Sequence, residues 1–232
     1  ISAYGANGAV VHYSPTEESD AKIEPEGFLL VDAGGHYLEG TTDTTRTFVM
    51  GELSLEQKRM FTAVCRGNLN LAYARFLYGC TGYSLDILCR EPLWQAGVDY
   101  KHGTGHGVGY LLNVHEGPNA FRWKLQGQER PAVLEAGMVT TDEPGIYMEG
   151  KYGIRTENEL LCVKGENNAY GQFMEFEILT LVPIDLDGIL PQEMTETERE
   201  RLNDYHEKVY RTLAPHLTEE EREWLRVSTR RI

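Results

Sequence analysis

Two stretches decide the fold. Gly27-Phe28-Leu29-Leu30-Val31-Asp32-Ala33-Gly34-Gly35-His36-Tyr37-Leu38-Glu39-Gly40 is followed 110 positions later by Gly137-Met138-Val139-Thr140-Thr141-Asp142-Glu143-Pro144-Gly145-Ile146-Tyr147-Met148-Glu149-Gly150. Laid over one another they share Gly27/Gly137, Asp32/Asp142, Gly35/Gly145, Tyr37/Tyr147, Glu39/Glu149 and Gly40/Gly150, six identities in fourteen positions. Each is a β-rich run ending on a glycine turn. The echo predicts two similar β-hairpin units facing one another across a pseudo-twofold axis, with room for a central site. Its register sets Asp32 opposite Asp142 rather than Glu143. Which acid of the second unit carries chemistry is left open at this point.

Working outward, Phe28–Asp32 and Thr45–Met50 read as strands. Ser54 with Gln57 is a capping box that opens an amphipathic helix, whose apolar positions run from Met60 to Phe76. A second helix is expected after Ser84, with Pro92 kinking it or delaying its end. Residues 101–120 read as glycine- and histidine-rich loop, and strand material returns at Gly137–Thr141, Leu160–Val163 and Phe176–Val182. Thr195 with Glu198 and Thr218 with Glu221 are two further capping boxes, separated by a break at Pro215, so the tail is helical from about 194 to 230. No linker or low-complexity block divides the chain, and 1–232 reads as a single domain.

The 232 residues carry 22 basic and 36 acidic side chains, a net charge of −14, so nucleic acid and anionic membrane surfaces are poor partners. At 41% hydrophobic and 25% charged, the chain is neither disordered nor a disulfide miniprotein, and no apolar run is long enough for a membrane helix. Cys65, Cys80, Cys89 and Cys162 form no Cys-x-x-Cys pair and no signal peptide opens the chain, which reads as reduced and cytosolic. Starting at Ile1, the sequence is expected to be the later part of a longer protein.

Five features hold groups suited to catalysis. Asp32 and Asp43 flank a hairpin turn. His102-Gly-Thr-Gly-His106-Gly-Val-Gly109 is followed by His115 in Asn113-Val-His-Glu-Gly-Pro118. Thr141-Asp-Glu-Pro-Gly145 turns the chain directly after a carboxylate. Gly153-Ile-Arg-Thr-Glu-Asn158 puts Arg155 and Glu157 on one strand face, and His12 sits beside a turn. The glycines match neither phosphate-loop nor dinucleotide spacing. Taken singly, each feature reads more readily as structure than as chemistry. Together, two Asp, two Glu and one His form an oxygen-rich set suited to one or two divalent cations, Mn²⁺ ahead of a thiolate-seeking metal. Four carboxylates meeting without cations would repel and raise one another's pKa. Two metals about 3.5–4 Å apart relieve that repulsion and can activate a water.

These motifs, together with Leu179-Thr-Leu-Val-Pro-Ile184, closely resemble aminopeptidase P, the Xaa-Pro aminopeptidases of the pita-bread metallopeptidases, and its cytosolic type in particular. The resemblance runs from about Gly5 to the C-terminal helices. It implies an α+β pita-bread fold, a pseudo-twofold pair of antiparallel β/α halves with outer helices and a helical tail, the whole of 1–232 being the catalytic domain. It implies that Asp32 and Glu143 each hold one of two metals, that Asp43 and Glu157 bridge them, and that His106 is the imidazole ligand. His115 is then the hydrogen-bond donor to the substrate carbonyl, His102 and His12 belong to the substrate pocket, and Arg155 orients Asp32. A metal-bridging hydroxide would cleave the Xaa-Pro bond, Glu143 shuttling the proton, with His115 and His102 as further catalytic groups. Mn²⁺ is the expected metal, with Co²⁺ or Zn²⁺ as alternatives. The implied partners are peptides with proline second and, in the full-length protein, a second copy in a cytoplasmic homodimer.

Other pita-bread proteins set the alternatives: a prolidase, a methionine aminopeptidase, a metal-free creatinase-like hydrolase, or a peptide-binding module without catalysis. The filled ligand positions disfavour the last two. Complete aminopeptidase P chains carry one or two domains before the part matched here, which are expected to support the dimer and close over the active site.

Overall fold

The computed structural model describes residues 1–125 and 130–232. In chain order these form β1 (Ser2–Tyr4), β2 (Phe28–Tyr37), β3 (Gly40–Val49), α1 (Leu55–Ala72), β4 (Phe76–Leu77), α2 (Gly82–Gln95), β5 (Gly105–His106), β6 (Ala120–Phe121), β7 (Val139–Asp142), β8 (Gly145–Met148), β9 (Tyr152–Arg155), β10 (Asn158–Asn168), β11 (Gly171–Ile178), α3 (Glu196–Leu213) and α4 (Glu219–Ser228). A three-stranded sheet runs β1-β2-β3 and a four-stranded sheet β4-β11-β10-β7, with β5-β6 and β8-β9 as separate antiparallel pairs.

The two echoed stretches become hairpins that begin and turn on the same glycines. Gly27 and Gly137 precede the first strand with φ of 68° and 97°, and Gly40 and Gly150 close the turn with φ of 151° and 71°. These backbone angles are open to glycine at no steric cost. In both hairpins the tyrosine folds back over the glycine two residues before it: a Cβ on Gly35 would strike the Tyr37 ring, and one on Gly145 the Tyr147 hydroxyl end.

The hairpins differ where the chemistry lies. β2 and β3 pair without interruption from Phe28/Val49 to Tyr37/Gly40. The second hairpin breaks. β7–β10 pairing stops at Asp142/Asn158 and β8–β9 pairing resumes at Gly145/Arg155, which leaves Glu143-Pro144 opposite Thr156-Glu157 outside both ladders. Pro144 has no N–H to give a ladder. The amides of Glu143 and Glu157 bond elsewhere, to Thr104 O at 2.8 Å and Thr45 O at 3.0 Å. The second of these bonds joins the two sheets.

The helices pack on the sheets and supply none of the five expected metal ligands. α1 and α2 approach closely at Gly67, where a Cβ would meet the Cys89 carbonyl. Leu93 packs beside Gly67, and Val64, Leu69 and Leu93 are core residues at 0–1% exposure, each worth about 1.5–3 kcal/mol of burial. Ser54, Thr195 and Thr218 all form the expected capping boxes, and a short 3-10 turn at Ala214–His216 marks the Pro215 break.

Boundaries differ from expectation at several places: β2 runs on to Tyr37, β3 starts at Gly40, β10 extends to Asn168, β11 starts at Gly171, and β5 falls inside the stretch expected as loop. α1 ends at Ala72 rather than Phe76. Phe76 belongs to β4, and its apolar signal comes from packing on Phe176 at 5.1 Å. α2 starts two residues before Ser84 and carries Pro92 inside, ending three residues later. The carbonyl freed at Leu88 lies on a partly exposed side, where water can satisfy it. β11 stops at Ile178, because the Thr180 and Val182 carbonyls accept from the Tyr205 hydroxyl and, at Val182, from Arg46 instead of joining a ladder.

Candidate metal centre

Asp43 pairs with Gly34, two residues along β2 from Asp32, so both aspartates project from one face of the sheet as a diagonal pair. Glu143 and Glu157 approach from the break in the second hairpin. β5 brings His106 between them. The glycines around it serve close packing rather than unusual backbone angles. A Cβ on Gly105 would strike the Thr141 carbonyl, and one on Gly107 the Glu116 carbonyl.

His106 Nε2 lies 3.4 Å from Glu143 Oε1 and 3.6 Å from Asp43 Oδ2. One donor atom from each of Asp43, His106 and Glu157 falls within 4.8 Å of the others. His106 Nδ1 sits 3.0 Å from Gly107 O, which assigns the proton to Nδ1 and leaves the Nε2 lone pair facing carboxylate oxygens. Lone pairs facing lone pairs are repulsive unless a cation or protons lie between them, so this donor set fits a divalent metal.

The carboxylates register the same strain. Burial, then the neighbouring Asp32, pushes Asp43 up to about 6. Burial is also the main reason Glu143 rises to about 8, with Asp43 adding to it. Glu157 is raised well above the ordinary range by burial and then by Glu143 and Asp43. Burial lowers His106 and so favours the neutral, ligating imidazole. The charge of two divalent cations would offset four ionised carboxylates.

Hydroxyl and guanidinium groups hold the acids in place. Arg155 gives Nη2–H to Asp32 Oδ2 at 2.7 Å, Nε–H to Thr45 Oγ1 at 3.1 Å and Nη1–H to the Tyr147 hydroxyl at 3.0 Å. Thr45 passes its proton to Glu157 Oε2 at 2.6 Å. Thr141 Oγ1 accepts the His106 amide at 3.1 Å and donates to Glu143 Oε1 at 3.2 Å. The expectation for Arg155 and Asp32 matches this geometry. Thr45, Thr141 and Tyr147 were not anticipated; threonine in a strand carries no distinctive signal.

A cavity of about 270 Å³ exposes all five ligand candidates, with His12, His36, His115 and Val114 among its other walls. The His115 ring meets the His106 ring edge-on, with centroids 4.2 Å apart. His102 lies outside this cavity. Its Nε2 accepts from the Tyr147 hydroxyl at 2.9 Å, its Nδ1 is 2.7 Å from Gly103 O, and burial pushes it down to about 4. Asp142, the echo's counterpart of Asp32, is fully buried on the opposite side, beside the Cys89 thiol.

Residues 1–164 match metallopeptidase family M24, and residues 172–232 match the C-terminal region of peptidase M24. The chain is 45% identical to aminopeptidase P1 of Arabidopsis thaliana over 232 residues, covering 99% of this chain and 36% of that protein. It is 43% identical to the probable Xaa-Pro aminopeptidase P of Arthroderma gypseum, covering 100% of this chain and 37% of the relative. Among solved structures, the X-prolyl aminopeptidase of Caenorhabditis elegans, described as a cytosolic enzyme with a di-nuclear active site, superposes with a TM-score of 0.93 at 39% identity, over 100% of this chain and 38% of that one. The prolidase of Pyrococcus furiosus superposes with a TM-score of 0.61 at 31% identity, over 69% of this chain and 45% of that one. The chain thus spans little more than a third of the length of the aminopeptidase P relatives it matches.

Proposed function

The chain belongs to metallopeptidase family M24 and has its pita-bread fold, and from that premise we propose that it is the catalytic region of a dinuclear aminopeptidase removing the residue before an N-terminal Xaa-Pro bond. The observation that carries this reading is the meeting of Asp32, Asp43, Glu143, Glu157 and the His106 Nε2 lone pair around one cavity. Asp32 and Glu143 would each hold one cation, Asp43 and Glu157 would serve both, and His106 would be the imidazole ligand. Oxygen-rich ligation favours Mn²⁺, with Co²⁺ or Zn²⁺ able to substitute. The cations would supply an acidified water and a polarised scissile carbonyl.

This chain's residues do the rest. Glu143, on the cavity wall with Oε1 3.4 Å from His106 Nε2, would take the water's proton and return it to the leaving proline nitrogen. His115, on the cavity wall beside His106, donates to the oxyanion. His12 contacts substrate at the rim. His102 serves the same pocket through Tyr147, whose hydroxyl it shares with Arg155. The acidic centre suits the substrate's free α-ammonium, and an Xaa-Pro bond has no N–H that needs a partner. By the same resemblance the intact protein acts in the cytosol as a homodimer. The description of the C. elegans neighbour as cytosolic and the four unpaired cysteines support that location.

Elemental analysis combined with peptide cleavage tests the assignment. Two metal ions per chain and release of the first residue from an Xaa-Pro-Yaa peptide are expected. Cleavage restricted to Xaa-Pro dipeptides would make it a prolidase, and a metal-loaded chain that cleaves neither would end the peptidase reading.

A further inference from the structure

A cavity of about 620 Å³, more roomy than the catalytic one, lies along the outer edge of β3. That volume is in the range of real ligand sites. It opens where the two sheets part company. β3 meets the residue just before β10 where the Glu157 amide donates to the Thr45 carbonyl, and the cavity lies between the β3 edge and Leu179–Val182.

Its β3 wall is a strand edge that pairs with no further strand at Thr41 among the described residues, Thr41 itself being 8% exposed. Asp43 gives its N–H to Glu159 Oε1 at 2.9 Å rather than to β2. Bonding direction alternates along a strand, so Thr41, two residues earlier, also turns its N–H and C=O outward. No backbone group from another element meets Thr41 there among the described residues.

The chemistry of the walls is one-sided. Glu159 is only 7% exposed, and its second carboxylate oxygen makes no hydrogen bond among the described residues. Glu39 stands at the rim, and no lysine, arginine or histidine lines the cavity. Val108, Val139, Leu179 and Leu181 add apolar wall beside the hydroxyl-bearing Tyr37, Tyr110, Thr44 and Thr180. A carboxylate with a spare oxygen facing a cavity that has no basic side chain among its described walls suits a cation, and a free strand edge suits another strand.

We infer that this cleft binds an extended peptide segment carrying a basic side chain, its backbone adding to the β3 edge at Thr41 and its ammonium or guanidinium resting on Glu159. The cleft shares Thr41 and Thr42 with the catalytic cavity but none of the proposed ligands. Binding here is independent of the peptidase reading.

The probe is a short peptide blocked at both ends, without proline, alternating valine and threonine around one lysine. With no free amino terminus it cannot be an exopeptidase substrate. Calorimetry on this chain should give a Kd below about 1 mM, and a norleucine peptide should bind about tenfold or more weakly. Amide resonances of Thr41 and Leu181 should shift while that of His115 stays in place. Glu159→Gln keeps an acceptor for the Asp43 amide and should abolish the lysine preference. Thr41→Pro removes the edge N–H and should weaken both peptides. Equal binding of the lysine and norleucine peptides to the unaltered chain overturns the inference without any variant. So does binding that survives Thr41→Pro, shifts centred on His115, or no binding at about 10 mM.

Discussion

Arg155 divides one guanidinium among Asp32, Thr45 and Tyr147, and through the last two it reaches Glu157 and His102. A lysine ammonium lacks that planar fork. Arg155→Lys should therefore keep the fold but weaken Mn²⁺ binding about 10–100-fold, read by titration against a competing chelator. Unchanged affinity would show that Asp32 needs no such partner. His115 is set apart from the ligands. His115→Ala should leave two metals per chain and lower kcat by roughly 10²-fold, whereas loss of metal would make His115 a ligand rather than an oxyanion donor. Acids and imidazoles were readable in the sequence because metal chemistry demands those side chains in those motifs. Thr45 and Thr141 were not, since a hydroxyl that orients a carboxylate looks like any other strand threonine. The echo's register left Asp142 and Glu143 open and the family resemblance implied Glu143; one-residue alternation sends the two side chains to opposite faces, burying Asp142 and leaving Glu143 on the cavity wall.

At the scale of elements, the site depends on strands that stop. A continuous second hairpin would commit the Glu143 and Glu157 amides to a ladder, and the break hands them to Thr104 and Thr45 instead. β5 must then lie hard against β7, which explains Gly105. Gly105→Ala places a methyl group against the Thr141 carbonyl and must push β5 outward, taking His106 with it. The expected result is a loss of about 1–3 kcal/mol in denaturant unfolding together with weaker Mn²⁺ binding. Normal metal affinity in that variant would mean β5 can shift without carrying His106. Helix starts were legible because a capping box is a local signal, made within four residues at Ser54, Thr195 and Thr218. Helix and strand ends were not. Phe76 and Leu179–Val182 carry apolar patterns whose partners lie far away in the chain, so their conformation is set by packing and side-chain bonds.

For the whole molecule, the C-terminal region and the metal-bearing strands form one structure through Arg46. This buried arginine bonds the carbonyls of Thr45, Glu157 and Val182, the Asn158 side chain and the Tyr205 hydroxyl of α3, tying the tail to β3, which carries Asp43, and to the Glu157 segment before β10. Nothing local in Thr45-Arg46-Thr47 announces that role, because its partners lie more than a hundred residues downstream. The next residue of α3, His206, makes this junction acid-sensitive. Its Nε2 accepts the Ile184 amide at 3.0 Å, and burial, with Arg46 and Arg230 adding positive charge, pushes it down to about 4. In the unfolded chain the same imidazole titrates near 6.5. Between about 4 and 6.5 the unfolded state therefore binds more protons than the folded one, and stability falls as pH falls through that window. The integrated loss is on the order of 3 kcal/mol. The raised carboxylates of the metal centre push in the opposite direction, so the comparison needs a variant that shares them. His206→Gln keeps an acceptor for Ile184 and cannot titrate. The stability of the natural chain relative to this variant, from denaturant unfolding at matched pH, should shrink by about 3 kcal/mol between pH 7 and pH 4. A difference that stays constant across that range would mean His206 takes up its proton in place, and that the junction tolerates a charge beside Arg46.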